Sequence, residues 1–241
     1  MLLGRGSIIG LAVQTFVLVH SPLVGPSTWK LVANELRARG FPAVVPSLPD
    51  ERAGEPYWRQ HAEAVAAQVA DAAPPLVLVG HSGACPLLPA IGAAVRDPIA
   101  AYVLVDGDLP LVPAGGSRLD LLQAAAPALA DELRALLDKG GAFPTWRDED
   151  LREEIPDRAL RASVLAEVHP QPGPFWEERL PAVAGWPDAP CGYLELSAHY
   201  GRAAARARRE GWAYRHLAGR HFELLTRPAE VADAIVDLVP R

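Results

Sequence analysis

Cysteine and lysine are almost missing from this chain, which has two cysteines (Cys85 and Cys191) and two lysines (Lys30 and Lys139) among 241 residues. The cysteines lie far apart and neither CxxC nor Cys/His ligand spacing occurs, so no disulfide framework and no structural zinc site is expected. A cofactor-free protein of a reducing, cytoplasmic compartment is the corresponding expectation. Long hydrophobic runs are lacking too. The best candidate, Ile8 to Val19 after Arg5, is interrupted by Gln14 and Thr15 and is too short to span a bilayer. Its end, Val17-Leu18-Val19, reads as a buried first strand rather than as a signal segment. Positive charge is not in excess. A formal net charge of −6 disfavours nucleic acid and anionic membrane as partners, because both are held by basic patches. Arg202, Arg206, Arg208 and Arg209 do cluster, but Glu210 follows and their spacing suits the solvated face of a helix. A small molecule is the partner that these absences leave, and no feature of the sequence speaks to oligomeric state.

What is present is a half-apolar composition, enough for one sizeable core, arranged as short apolar runs alternating with longer helical patterns. That alternation is what a parallel sheet with crossover helices requires, so the fold class is α/β. Strands are expected at Thr15–Val19, Ala43–Val45, Leu76–Val79, Ala101–Val105, Gly192–Leu196 and Ala213–Leu217. Helices are expected from Trp29 to Gly40, Tyr57 to Ala72, Gly83 to Val95, Gly201 to Glu210 and Pro228 to Leu238. Leu76-Val77-Leu78-Val79 is apolar at every position, as a central strand covered on both faces must be. Between about 109 and 189 the alternation breaks into helical pieces separated by Pro and Gly. This region holds Phe143, Trp146, Phe175, Trp176 and Trp186, and reads as a helical cap inserted into a single domain whose core is 1–108 and 190–241.

Gly80-His81-Ser82-Gly83-Ala84 follows the buried strand directly and opens a helix. In that context a G-x-S-x-G-like run marks a nucleophile elbow, a turn sharp enough to need small neighbours; a helix-capping serine in an ordinary turn is the structural alternative. A serine hydroxyl needs a base, and Gly219-Arg220-His221-Phe222, between the last strand and the last helix, supplies one on the same side of the sheet. His61, His169 and His216 read as structural. His20 ends the first strand and His81 neighbours the serine, so both are expected to shape a substrate site.

Three segments carry a resemblance: His20-Ser21-Pro22-Leu23-Val24-Gly25 through Trp29, then Gly-His-Ser-Gly-Ala, then the late Gly-x-His-Phe. Together they resemble the α/β-hydrolase superfamily, most of all its branch of small carboxylesterases and hydroxynitrile lyases and similar actinobacterial hydrolases. The resemblance implies the chain order nucleophile, acid, histidine, which Ser82, Asp106 and His221 satisfy. It departs from the family twice. The stretch Ser197-Ala198-His199-Tyr200-Gly201 lacks the usual acid, which leaves Asp106 at the alternative position, with turn chemistry in Asp-Gly-Asp as its other explanation. Pro22 also removes a backbone N–H where relatives hold an oxyanion, so the donors would be Gly83 together with Leu23 or the Ser21 hydroxyl. Trp146 and Trp176 are expected to face substrate, with mutual packing as the alternative.

The resulting expectation is a serine hydrolase of the esterase, lactonase or thioesterase type acting on an apolar, possibly aromatic, small molecule. A non-hydrolytic enzyme of the same fold (lyase, cyclase or carbon–carbon bond-forming) and a ligand-binding module are the alternatives.

Overall fold

The computed structural model describes residues 14–49, 56–111 and 115–240. Of the apolar stretch after Arg5, residues 8–13 lie outside this range. In chain order the strands are β1 (Thr15–Val19), β2 (Ala43–Val44), β3 (Leu76–His81), β4 (Ile99–Val105), β5 (Gly116–Ser117), β6 (Ala142–Phe143), β7 (Gln171–Pro172), β8 (Arg179–Leu180), β9 (Cys191–Glu195) and β10 (Ala213–His216). The α-helices are α1 (Lys30–Ala38), α2 (Tyr57–Gln68), α3 (Leu88–Ala94), α4 (Arg118–Ala125), α5 (Pro127–Leu137), α6 (Arg158–Leu165), α7 (Gly173–Glu177), α8 (Gly201–Arg209), α9 (Glu223–Thr226) and α10 (Pro228–Asp237).

Six strands form one parallel sheet in the order β10-β9-β4-β3-β1-β2. Its central strands are buried on both faces, and alternate residues serve different layers, as the two-residue period of a strand dictates. Phe16, Leu18, Val77, Val79, Val103 and Val105 pack toward the apolar stripes of α1 and α10. Val17, Val19, Leu76, Leu78, Tyr102 and Leu104 pack toward α2, α3 and α8. The order reverses direction at β1, with β2 on one side and every later strand on the other. In open α/β sheets the carboxyl ends of the strands beside such a reversal form a crevice where ligands bind.

The elements match the sequence pattern closely, and the differences have local causes. The helix expected from Gly83 begins as a 3-10 turn, Ser82–Leu87, before α3. Pro86 within it has no N–H for a continuous i→i−4 ladder. On α8 the arginines stand outside while Ala203, Ala204 and Ala207 are buried, so the cluster does form a solvated face. Among the described residues no helix is long and apolar enough to cross a membrane.

Between β4 and β9 lies the insert, where α4 to α7 are joined by two small antiparallel ribbons, β5 with β8 and β6 with β7. It has a core of its own built on Leu119, Ala130, Leu133, Leu137, Phe175 and Trp176. It is also bonded to the layers beneath. Glu178 accepts the first two N–H groups of α2, from Tyr57 at 2.8 Å and Trp58 at 3.0 Å, and holds the buried Arg118 at 2.6 Å. Glu167 accepts the Ser27 N–H at 2.9 Å and fills the space beside Gly25 that a β-carbon would occupy.

Candidate active site

Ser82 stands at the carboxyl end of β3 with φ 55, a left-handed backbone that a residue with a side chain adopts only when its surroundings impose it. The surroundings do so by close packing. A β-carbon at Gly80 would lie 3.2 Å from the Ala84 carbonyl carbon and the Cys85 nitrogen, and one at Gly83 would lie 3.0 Å from the Ser21 Oγ. A β-carbon at Gly107 would run into the Ser82 carbonyl oxygen. Ala84, where the pattern more often has glycine, is fully buried and accommodated.

Asp106 ends β4 and is likewise left-handed, at φ 43, and its side chain is completely buried. Four donors surround the carboxylate. Oδ1 accepts the N–H groups of Leu196 and Ser197 at 2.9 Å each, while Oδ2 accepts the Ser197 hydroxyl and the His221 Nδ1, both at 2.7 Å. Burial by itself would raise the pKa, but the bonds from His221 and Ser197 and the His221 charge outweigh it and leave the group below the ordinary carboxylate value. The loop after β9, which carries no acid, therefore supplies three of the donors that hold an acid projecting from the neighbouring strand.

His221 lies in the loop after β10. The insert's Glu154 accepts its backbone N–H at 3.0 Å, and the His81 Nε2 donates to its carbonyl oxygen at 3.0 Å. The imidazole is stacked on the Tyr200 ring, with centroids 5.4 Å apart and planes 27° apart. With Nδ1 on Asp106, the Nε2 end is directed away from the buried acid, and both His221 and Ser82 line one cavity of about 580 Å³.

His20 and His81 do not reach substrate as expected. Neither lines the cavity, and both are about 1% exposed. Burial, offset in part by the Ser21 carbonyl, pushes the His20 pKa down to about 4; burial, reinforced by the His221 charge, pushes that of His81 down to about 3. They stay neutral and brace the loops behind the site. Asp106 is equally remote from the cavity surface, as its full burial requires.

Leu23, Gly83, Trp146 and Trp176 all line the cavity. Ser21 is buried just behind it, and its Oγ accepts the Leu23 N–H at 3.4 Å. The insert grips this loop from above: His169 N–H donates to the Leu23 carbonyl at 3.0 Å, and Gln171 Nε2 to the Pro22 carbonyl at 3.4 Å. The aromatic residues of the insert pack on one another and face the cavity together, with ring centroids of Phe143 and Trp176 5.9 Å apart and those of Phe175 and Trp176 5.5 Å apart. Trp186 is elsewhere, packed against Tyr102 and Trp212.

Three contributors went unnoticed in the sequence: Ser197, Glu154 and Tyr200. Tyr200 lines the cavity, and its ring is stacked on the His221 imidazole. The available signal was the stretch after β9, where a hydroxyl and a phenol stand in the segment expected from the resemblance to hold the acid. Asp108 also lines the cavity; burial, opposed by the Arg202 charge, raises its pKa to about 6.

The sequence pattern of the Alpha/beta hydrolase family matches residues 16–234. No curated protein matches the chain. Among solved structures it is similar to an extracellular alpha/beta-hydrolase from a Paenibacillus species described as sharing structural and functional homology with tobacco salicylic acid binding protein 2. The identity is 21%, the TM-score 0.77, and the match covers 95% of this chain and 100% of the other. It is also similar to polyneuridine aldehyde esterase, with 14% identity and TM-score 0.68 over 93% of this chain and 98% of that one. Tomato methylketone synthase I, solved with 2-tridecanone, matches at 14% identity and TM-score 0.70 over 94% and 98%.

Proposed function

The chain belongs to the alpha/beta hydrolase family, and from that premise we propose that it is a serine hydrolase of neutral, largely apolar esters, lactones or thioesters. Ser82 is the nucleophile, His221 its general base and Asp106 the acid that orients the imidazole. The observation that carries this reading is the 2.7 Å bond from His221 Nδ1 to the buried, multiply bonded Asp106, with Ser82 on a strained elbow in the cavity that His221 also lines. Asp106 fixes the tautomer with the proton on Nδ1, so Nε2 is free to take the Ser82 proton as Oγ attacks the carbonyl carbon. His221 then returns the proton to the leaving group, and water repeats the cycle on the acyl-enzyme.

Negative charge developing on the carbonyl oxygen needs donors. The Gly83 N–H at the helix start is one. The second is the Ser21 hydroxyl: Pro22 has no N–H, the Leu23 N–H is directed to Ser21 Oγ, and that oxygen sits against Gly83. Substrate character follows from the lining. Phe143, Trp146, Phe175, Trp176 and several leucines make it apolar, while Asp108, Glu132, Asp150 and Glu154 add acidic groups. Arg118 is held by Glu178, so it offers a carboxylate-bearing substrate little. The insert acts as a cap over the serine. The two cysteines, both buried and unpaired, suit a reducing compartment.

A second reading, non-hydrolytic proton-transfer chemistry at the same residues, draws on the proline in the oxyanion loop. One experiment separates the two: intact-protein mass after incubation with a fluorophosphonate, run beside hydrolysis of p-nitrophenyl esters, for the wild type, Ser82→Ala, His221→Ala and Asp106→Asn. Stoichiometric labelling and ester turnover that both require Ser82 and His221 support the hydrolase. A folded wild type that is neither labelled nor active on any ester overturns it in favour of proton-transfer chemistry or ligand binding.

A further inference from the structure

Asp108 stands on the cavity wall beside the nucleophile and plays no part in the proposed triad. It follows Gly107, where a β-carbon would run into the Ser82 carbonyl oxygen and the Cys85 side chain, and whose own carbonyl accepts the Tyr193 hydroxyl at 2.8 Å. The segment from Asp106 to Asp108 is thereby locked against the elbow, with the first carboxylate bonded to His221 and the second on the cavity wall. The other acids of the lining are placed differently: Glu132 and Asp150 are exposed, and Glu154 accepts the His221 N–H. Asp108 is half-buried and, among the described residues, makes no hydrogen bond and no ion pair. Arg202 acts on it only through space and gives its own hydrogen bond to the Ala124 carbonyl.

A carboxylate held partly out of water without donors is costly, and pockets use isolated polar groups of this kind to orient what they bind. Even with its raised pKa, about 6, the group is ionised at neutral pH. Arg202 already supplies opposite charge, so what the carboxylate lacks is a donor. We propose that Asp108 is a specificity-determining residue that accepts a hydrogen bond from a hydroxyl group on the acyl part of the substrate, one or two carbons from the reacting carbonyl. This rests on the serine-hydrolase reading and narrows it to hydroxyacyl esters with an apolar body. The acyl part is the one concerned because it stays on Ser82 through both half-reactions, within reach of an acceptor fixed beside the elbow. The apolar body is left to the aromatic rings of the insert, and the hydroxyl group sets which way round the acyl chain lies.

The test compares wild type, Asp108→Asn and Asp108→Leu on three methyl esters: phenylacetate, mandelate, which adds a hydroxyl on the first carbon, and 3-hydroxy-3-phenylpropanoate, which carries one on the second. The quantity read is the ratio of kcat/KM for each hydroxylated ester to that for phenylacetate, which cancels any general loss of activity in a variant, with thermal midpoints measured alongside. The expected result is that both substitutions lower at least one of the two ratios by about 10- to 100-fold, the range of a hydrogen bond to a charged group. The preference of the wild type between the two enantiomers of that ester should fall with it, since a fixed acceptor reaches the hydroxyl of one hand only; a merely structural aspartate would not move this readout. Where the wild type is labelled by fluorophosphonate but turns over none of the three, the same ratios are read from how strongly each ester protects Ser82 from labelling. Ratios and enantiomer preference that stay within about 2-fold of wild type in both variants overturn the role of Asp108 and leave the triad standing. A wild-type preference for methyl phenylglycinate over both hydroxylated esters, lost in Asp108→Asn, overturns the hydroxyl assignment in favour of a cation. A wild type that neither labels nor hydrolyses any ester overturns the serine-hydrolase reading itself, and this role with it.

Discussion

The sheet edge and the insert build the two sides of one cavity from different materials. Below, Asp106, His81 and His20 are buried, hydrogen-bonded to backbone or to one another's loops, and withheld from the cavity surface. Above, the insert presents aromatic rings, with carboxylates at its margin, and reaches down only at chosen points: Glu154 to the His221 backbone, Gln171 and His169 to the Pro22–Leu23 loop, Glu178 to the start of α2. Under the proposed function, the difference separates two tasks. Reacting groups must be held to within tenths of an ångström, which the ends of a packed parallel sheet can do; recognition of an apolar molecule needs area and shape, which an insert with its own small core supplies.

That division is testable. The largest effect is expected below. Asp106→Asn puts an amide NH2 among groups that are themselves donors, so kcat on an activated ester should fall by about 10³ to 10⁴. Ser197 Oγ lies 2.7 Å from Asp106 Oδ2, so adding Ser197→Asp to Asp106→Asn should recover at least about 10-fold by returning a carboxylate to the imidazole from the adjacent strand; no recovery would show that the sheet edge tolerates only one acid position.

Next in size is the joint between the two sides. Glu178→Ala removes the partner of a buried arginine and the acceptor for the first turn of α2. It is expected to cost about 3 to 5 kcal/mol in denaturant unfolding, with fluorophosphonate labelling of the remaining folded protein intact. A loss confined to activity would mean that the insert is not structurally tied to the core.

Asp108 carries a pH signature. Its folded-state pKa, near 6, is raised above the ordinary value of 3.8, so the folded protein binds this proton more tightly than the unfolded chain does. Stability from this group is fully present below about pH 4 and is lost as pH rises through 6. Asp108→Asn should therefore stabilise the protein by up to about 2 kcal/mol at pH 7 and by almost nothing at pH 4, as followed by unfolding at both pH values. A pH-independent difference would show that the carboxylate is more solvated than its burial implies.

The smallest effect belongs above. Phe143 is half-buried and faces the cavity, so Phe143→Ala should raise KM for an aromatic ester by about 10-fold, equivalent to about 1.4 kcal/mol of lost apolar contact, with kcat and the Ser82 labelling rate held within about 2-fold. A large fall in kcat would contradict the separation of recognition from reaction.

Much of this molecule was readable from local pattern. Period-two and period-3.6 hydrophobicity located the sheet strands and the helices packed on them, because burial on a regular element imposes its repeat on the sequence. The elbow around Ser82 was legible because a sharp turn restricts its neighbours to small residues, and His221 and Asp106 because each follows a strand end. The sequence alone determined which residue types stand at the carboxyl edge of the sheet. Only the tertiary structure decided which of them face the cavity. His20 and His81 were expected to face substrate and instead turn inward, because strand pairing and the helix layers set their direction. Ser197 and Glu154 act on residues 91 and 67 positions away. Contacts of that separation leave no periodic trace in a single chain, since they arise from how elements cross in space rather than from how neighbouring residues alternate.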